Sequence, residues 1–423
     1  MNGRGSLDVY LDDVLLGQIE DRTMGFVAFD FAEQTIDRYG VGSRVLSLSL
    51  PVAWETVDPL VATPFFAGLL PEGEGRDRLC EEFRLSPEDS FGLLAVLGRE
   101  SAGALVIVPA GEQPPDPGTQ DLRPLTDDGL AAELDRLAFN PLGVTVEDDG
   151  VRLSLAGVQN KLPLARLADG TLALPLGGHP STVIAKPPSR QERFPELVAN
   201  EAFGLAVAAE LGLPCAQFDV VFPAGQPVLL VERYDRLLRD GQVVRLHQED
   251  ACQALSVYPA NKYEIGGGPS LAAVAELIGE YSSQPAIDRL SLLRLTALNA
   301  LLGNADAHGK NLSFLHGPVG VTLAPAYDLV STAAYPLHTD RLGMRIGGVE
   351  RLRDLSGEAL LAQSNAIGLS VTFAARVLRE LLAALPGALA ASRTRAELEG
   401  WTSPILDTIA SQTAERAHRL ALP

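Results

Sequence analysis

The densest run of reactive side chains is Asn304-Ala305-Asp306-Ala307-His308-Gly309-Lys310-Asn311, followed downstream by Tyr327-Asp328. Phosphoryl transfer from a nucleotide needs a carboxylate to accept the attacking hydroxyl's proton and a cation near the phosphates. It also needs an amide oxygen and a second carboxylate to hold Mg2+. Asp306 is the carboxylate for the proton, Lys310 the cation, and Asn311 and Asp328 the oxygen donors for the metal. Asp306 and Asn311 also keep the spacing of Asp and Asn in the H-R-D-x-x-x-x-N loop of protein kinases. By itself a D-x-x-x-x-N pair reads more often as a solvated loop, so the flanking elements decide.

The same chemistry asks for a strand lysine that meets the phosphates and a helix carboxylate that orients it. Val183-Ile184-Ala185-Lys186 ends in such a lysine, and Glu201 follows within a helical stretch. Glu196 competes with Glu201, but it sits in a first turn, where a carboxylate commonly serves the helix dipole. The segment Ser154-Leu155-Ala156-Gly157-Val158-Gln159-Asn160-Lys161 lies between two candidate strands, where backbone N–H groups could cover phosphates. It holds one glycine and fits neither G-x-G-x-x-G nor the Walker pattern. The run Glu232-Arg233-Tyr234-Asp235 sits where two lobes would meet, so its backbone is a candidate for reading an adenine edge.

Elements that could position these groups follow from periodicity. Leu290, Leu293, Ala297, Leu298 and Leu301 recur at helical spacing until Gly303, and strands over 312–315 and 321–324 flank Gly317-Pro318-Val319-Gly320. Upstream, 151–155 and 162–167 read as paired strands around Ala156-Gly157. Residues 182–186 read as a short strand, and 218–222 with 228–231 as a hairpin. A helix over 195–211 closes at Gly212. Strands are expected at 7–11, 25–31 and 46–50, then helices at 64–70, 77–83 and 86–97. After Asp250 the pattern is helical: 251–255, 270–280, 287–302, 357–366, 371–385, 393–398 and 404–421. Five prolines and two glycines over 109–124 read as a linker. The division is an α/β unit over 1–108, the linker, a mixed lobe over 125–235 with the phosphate loop and strand lysine, and a mostly helical lobe over 236–423.

At 423 residues the chain is long enough for two or three domains with their own cores. Its 34 Lys plus Arg against 54 Asp plus Glu leave a net charge of -20, which disfavours autonomous binding to nucleic acid or anionic membranes. Cys80, Cys215 and Cys252 are too dispersed for a disulfide framework or a metal knuckle, which suits a reducing compartment. The longest apolar run, 381–391, contains Pro386 and Gly387 and is shorter than the ~20 residues of a membrane span. The N-terminus has charges where a signal peptide is apolar, so the cytoplasm is the expected location.

Several ordered motifs then resemble a known family: S-L-A-G-V-Q-N-K, I-A-K-P-P, N-E at 200–201, V-E-R-Y-D-R, R-L-H-Q-E-D-A-C-Q-A-L, G-N-A-D-A-H-G-K-N and A-Y-D-L-V-S-T. Together they look like the HipA family of bacterial serine/threonine kinases, toxins of type II toxin–antitoxin pairs. F-F-A-G-L-L-P-E-G at 65–73 and L-G-R-E-S-A-G-A-L at 97–105 resemble that family's N-terminal segment. The resemblance implies an α+β, divergent protein-kinase-like fold with two lobes, using ATP and Mg2+. Asp306 would be the catalytic base, Asn311 and Asp328 the metal ligands, and Lys186 the phosphate lysine, with Glu201 as its helix partner. Ala156, Gly157, Val158, Gln159, Asn160 and Lys161, then Glu232, Arg233 and Tyr234, would line the ATP site. His308, Gly309, Lys310 and Asn311, with Tyr327 beside Asp328, would complete it. Ser154 would be the serine whose autophosphorylation expels the phosphate loop. The implied substrate is an aminoacyl-tRNA synthetase, the glutamyl enzyme first, with halted translation and dormancy as the consequence. The implied partner is a HipB-like helix-turn-helix antitoxin, through which alone the chain would reach DNA. Asn160 and Gly309 depart from the family's commoner Glu and Ala without removing a required group.

Two other readings stand beside this one. Gly303-Asn304-x-Asp306-x-His308 superficially resembles a corner of two-metal phosphoesterases, but His179, His247, His316, His338 and His418 are scattered without ligand spacing. A pseudokinase scaffold that only holds an antitoxin would have lost a catalytic group, whereas Lys186, Asp306, Asn311 and Asp328 are all present.

Overall fold

The computed structural model describes residues 5–22, 25–115, 121–137, 161–189, 191, 193–336 and 339–422. Ser154 and the segment from Ala156 to Asn160 lie outside the described residues, as does the strand expected at 151–155.

The N-terminal unit begins with β1 (Ser6–Leu11), β2 (Val14–Asp21) and β3 (Val27–Phe31). It continues through α1 (Glu33–Tyr39), α2 (Pro59–Gly68), α3 (Gly73–Phe83) and α4 (Ser90–Leu97) to β4 (Leu105–Pro109). The antiparallel order is β3-β2-β1-β4, and Leu7, Val9, Phe29, Phe65, Phe66 and Leu94 share its core. The expected strand at 46–50 is absent; the backbone there bends. Leu46, Leu48 and Leu50 are buried as the alternation suggested, but the N–H of Leu48 donates to Glu249 and that of Ser49 to the Ser47 hydroxyl. These side-chain acceptors replace a ladder partner.

The next lobe comprises β5 (Leu122–Pro124), α5 (Asp127–Arg136), β6 (Leu162–Arg166), β7 (Leu172–Pro175), β8 (Val183–Lys186), α6 (Leu197–Glu210), β9 (Phe218–Val221) and β10 (Val228–Glu232). They form a six-stranded sheet in the order β5-β7-β6-β8-β10-β9, so the last residues of the expected linker are an edge strand. Val183 and Ala185 enter a small core with Leu162, Leu164 and Leu230. Alternation along the strand therefore sends Ile184 and Lys186 to the opposite face.

Two hairpin strands, β11 (Arg236–Arg239) and β12 (Gln242–Arg245), lead into the third lobe. That lobe holds β13 (His247–Asp250), α7 (Ala251–Ala254), α8 (Leu271–Tyr281), α9 (Pro285–Leu302), β14 (Ser313–Gly317), β15 (Gly320–Leu323), β16 (Arg341–Ile346) and β17 (Val349–Arg351). It ends with α10 (Gly357–Ala366), α11 (Val371–Glu399) and α12 (Pro404–Arg419). One large core joins α6 to α8–α12. The two helices expected at 371–385 and 393–398 are one, α11, which runs through Pro386 and Gly387. Both residues lie on its exposed side, where a carbonyl without its N–H partner turns to water. Among the described residues no helix is long and apolar enough to cross a membrane.

The N-terminal unit is locked to both lobes. Glu100 lies buried among Arg233, Arg236 and Arg245, which reach its carboxylate at 3.0, 2.9 and 2.5 Å. Asp235 joins the cluster, accepting from Arg233 at 2.7 Å and from the N–H of Gly103 at 2.7 Å. On the other side, Gln253 of α7 donates to the Phe65 carbonyl at 3.0 Å.

Candidate active site

Lys186 ends β8 facing α6, and its ammonium holds both oxygens of Glu201 at 2.7 and 2.9 Å. The Asp328 carboxylate is 3.8 Å from the same nitrogen. Burial alone would lower the Lys186 pKa, but Glu201 and then Asp328 hold it above its ordinary value. The lysine is a fixed cation. This close approach depends on Gly204, one turn beyond Glu201: a Cβ there would stand 1.9 Å from the Leu329 carbonyl oxygen. Asp328 itself has φ +56, a left-handed backbone that sets its carboxylate between Lys186 and Asn311.

The loop that carries Asp306 is anchored at both ends. Gly303 terminates α9 at φ +77, and the Asn304 side chain accepts from the N–H of Asp306 at 3.1 Å. Thr332 accepts from the Ala305 N–H, and the Ala305 carbonyl accepts from Gly343. Beyond Asp306, Asn311 accepts from the His308 N–H at 3.1 Å and donates its amide to Asp328 at 2.6 Å. Tyr327 donates to the Lys310 carbonyl at 2.6 Å, fixing the loop against the strand pair β14–β15.

These groups line one cavity of about 350 Å³ between the lobes, within the range of small-molecule sites. Lys161, Lys186, Glu201, Tyr234, Asp306, His308, Asn311, Tyr327 and Asp328 all border it. Burial, with Lys186 nearby, brings Lys161 down to about 8. Burial and then Lys262 push His308 down to about 4, leaving it neutral. Asp328 stays below the ordinary carboxylate range: burial opposes this, but Lys186 overcomes it. Asp306 is raised, first by the cavity walls crowding part of its hydration and then by Asp328, with Tyr263 opposing.

Some expected residues are placed differently. The Lys310 ammonium is buried against Asp250 at 2.7 Å, with the Gly68 carbonyl at 3.2 Å and Glu72 at 3.6 Å. It ties the loop to the N-terminal unit rather than standing as a free phosphate cation. Arg233 borders the cavity, but its guanidinium is committed to Glu100 and Asp235. The Glu232 side chain turns outward toward Arg166, so only its backbone can serve the cavity. Gly309 packs under the loop, where a Cβ would meet Pro269 at 2.5 Å. Sequence reasoning missed Glu72, Lys262 and Tyr263, all on the cavity side or touching Asp306. Glu72 lies inside a recognised motif, yet nothing in that motif reveals how far across the molecule it reaches.

Asn311 and Asp328 fit a hard cation. Both carry oxygen donors: Asp328 stands beside Lys186, and Asn311 is joined to Asp328 through its amide nitrogen while its oxygen accepts from the His308 N–H. Among the described residues no cluster of three or more His, Cys, Asp or Glu could hold a metal. Mg2+ characteristically takes one or two protein oxygens and completes its shell with substrate phosphates and water.

The HipA-like C-terminal domain matches residues 153–389, and the HipA N-terminal domain matches residues 7–108. The chain belongs to the HipA kinase family. The serine/threonine-protein kinase toxin HipA of Shewanella oneidensis is 30% identical over 403 residues, covering 91% of this chain and 88% of that one. Y4mE of Sinorhizobium fredii is 42% identical over 369 residues, covering 86% of each. Among solved structures, the Shewanella HipA from a complex with HipB and operator DNA superposes with a TM-score of 0.81 at 28% identity, spanning 98% of this chain and 97% of that one. This HipA-family member is a protein serine/threonine kinase with an α+β, kinase-like fold.

Proposed function

We propose that the chain transfers the γ-phosphate of ATP to a serine or threonine of an aminoacyl-tRNA synthetase, the glutamyl enzyme first, and so arrests translation and favours dormancy. The observation that carries this is the convergence of Lys186, Asp306, Asn311 and Asp328 on one cavity. Lys186, braced by Glu201, would meet the ATP phosphates, and the backbone of 232–234 together with Tyr234 and Tyr327 would receive the base. Asn311 and Asp328 would hold Mg2+, which when bound neutralises charge on the phosphates. Asp306 would accept the proton from the attacking hydroxyl. The presence of all four groups disfavours a mute scaffold.

A HipB-like antitoxin is the proposed partner, supported by near-complete overlap with a HipA solved alongside HipB and operator DNA. The net charge of -20 favours DNA contact through that partner alone. Ser154 is proposed as a site of self-inactivation, and the cytoplasm as the place of action. Incubation with radiolabelled ATP and a panel of aminoacyl-tRNA synthetases tests the substrate. Label on one synthetase, lost in Asp306→Asn while ATP still binds, is expected. Labelling by Asp306→Asn within about tenfold of wild type would remove the base from the mechanism, since such assistance is commonly worth ~10²–10⁴.

A further inference from the structure

Asp306 must present a free, correctly aimed oxygen to the incoming hydroxyl, yet neither the Asp306-to-Asn311 spacing nor the loop anchors hold its side chain. The backbone around it is tied through Asn304 and Thr332, and those bonds leave its χ angles open. The carboxylate is held instead from the segment between α7 and α8. Tyr263 donates its hydroxyl to Oδ1 of Asp306 at 2.7 Å. Among the described residues, Oδ2 of Asp306 has no hydrogen-bond partner, and the side chain is open to solvent at the cavity mouth.

We propose that Tyr263 is a positioning residue for phosphoryl transfer: it clamps Oδ1 of Asp306 and leaves Oδ2 to take the proton of the substrate hydroxyl. This deepens the proposed function and rests on Asp306 being its base. The clamp is itself rigid. The Lys262 carbonyl accepts from the catalytic-loop N–H of Gly309 at 3.1 Å, and Glu264 accepts from the N–H of Arg345 on β16 at 2.6 Å. Tyr263 is thus fixed from both neighbours. Its ring stands edge-on to His308 with centroids 5.2 Å apart, so the aromatic contact and the hydroxyl contact are separable. Burial, then Asp306, raises the phenol above its ordinary pKa, which keeps it a donor. Lys262 from the same segment, Glu72 from the N-terminal unit and Asp328 complete the charged groups around Asp306.

The deciding variant is Tyr263→Phe, which keeps the ring and removes the hydroxyl. Expected is a fall in kcat of about tenfold or more, a fraction of what a general base supplies, with KM for ATP and ATP affinity unchanged. In an Asp306→Asn background the same change should cost nothing further, because the two residues act as one unit. Losses that add, or an unaltered kcat, would overturn the proposal. A crystal structure of Tyr263→Phe gives an answer independent of turnover: Asp306 should leave its present rotamer, and an unmoved carboxylate would refute the clamp. If wild type and Asp306→Asn are equally inert toward every substrate, the proposed function fails, and that structure still decides the role of Tyr263.

Discussion

Glu72 Oε2 lies 3.1 Å from Lys262 Nζ, so a carboxylate of the N-terminal unit closes on a lysine beside Asp306, the proposed base. The same carboxylate stands 3.6 Å from Lys310 on the loop of Asp306. Burial opposes its ionisation, but Lys310 and Lys262 hold its pKa below the ordinary value. Glu72→Gln should therefore release Lys262, leave Lys310 to Asp250 and the Gly68 carbonyl, and cost about 1.5–3 kcal/mol, the usual loss for a hydrogen bond to a charged group. Thermal unfolding measures this, and a melting temperature equal to wild type would contradict it.

Gly204→Ala should damage nucleotide binding without touching a nucleotide ligand. The added methyl would collide with the Leu329 carbonyl and push α6 off the segment that carries Asp328. Overpacking of this kind costs about 1–3 kcal/mol, and here it also draws Glu201 away from Lys186. Calorimetric titration should show Mg-ATP affinity reduced by about tenfold, equivalent to ~1.4 kcal/mol. Wild-type affinity in this variant would mean that the Lys186–Glu201 pair tolerates the shift.

The lock around Glu100 should be acid-labile. Burial would raise this carboxyl, but Arg245, Arg236 and Arg233 bring it from 4.5 to about 2. A depressed carboxyl gives its full stabilisation above its unfolded pKa and loses it as pH falls from about 4.5 through about 2. Glu100→Gln should cost about 3–5 kcal/mol at neutral pH, because it leaves arginines buried with less compensation. The variant should also unfold with a shallower pH dependence over that window. An acid limb as steep as wild type would assign the effect to other carboxylates.

Ser154, on the strand expected just ahead of the proposed phosphate loop, should carry phosphate after incubation with Mg-ATP. A group of about -1.5 to -2 charge beside backbone donors meant for ATP should expel the loop and abolish nucleotide binding while the fold persists. Intact-mass analysis and peptide mapping identify the site. Phosphate found only elsewhere, or a Ser154-phosphorylated form that binds ATP normally, would reject the idea.

What the sequence makes legible is local. Asp306 and Asn311 share one loop, the hairpin to Asp328 follows directly, and alternation through Val183 and Ala185 assigns Lys186 its face. The strand β13 went unread because His247-Gln248-Glu249-Asp250 has no apolar alternation; its burial comes from Leu46, Leu48 and the N-terminal unit. Leu46 to Leu50 misled for the complementary reason, since a hydrogen-bonded bend against Glu249 buries alternate leucines just as a strand would. Pro386 appeared to end a helix because exposure, which makes a proline tolerable there, is invisible in one dimension. Tyr263 and Glu72 were missed because their partners are 43 and 190 residues away. Lys310 was read as a phosphate cation by composition, whereas Asp250 and the end of α2 already claim its charge.

The lock on Glu100 also bears on how the chain comes into being. Its arginine partners lie 133, 136 and 145 residues further along. During synthesis the N-terminal unit emerges first and can close its own core, but Glu100 meets its first arginine only with Arg233 and its last with Arg245 at the end of β12. Contacts of such separation form late, after the entropy of closing the intervening loop has been overcome. A chain truncated before Arg233 would therefore lack every arginine that ties Glu100, and with it the N-terminal unit, to the backbone at 232–235.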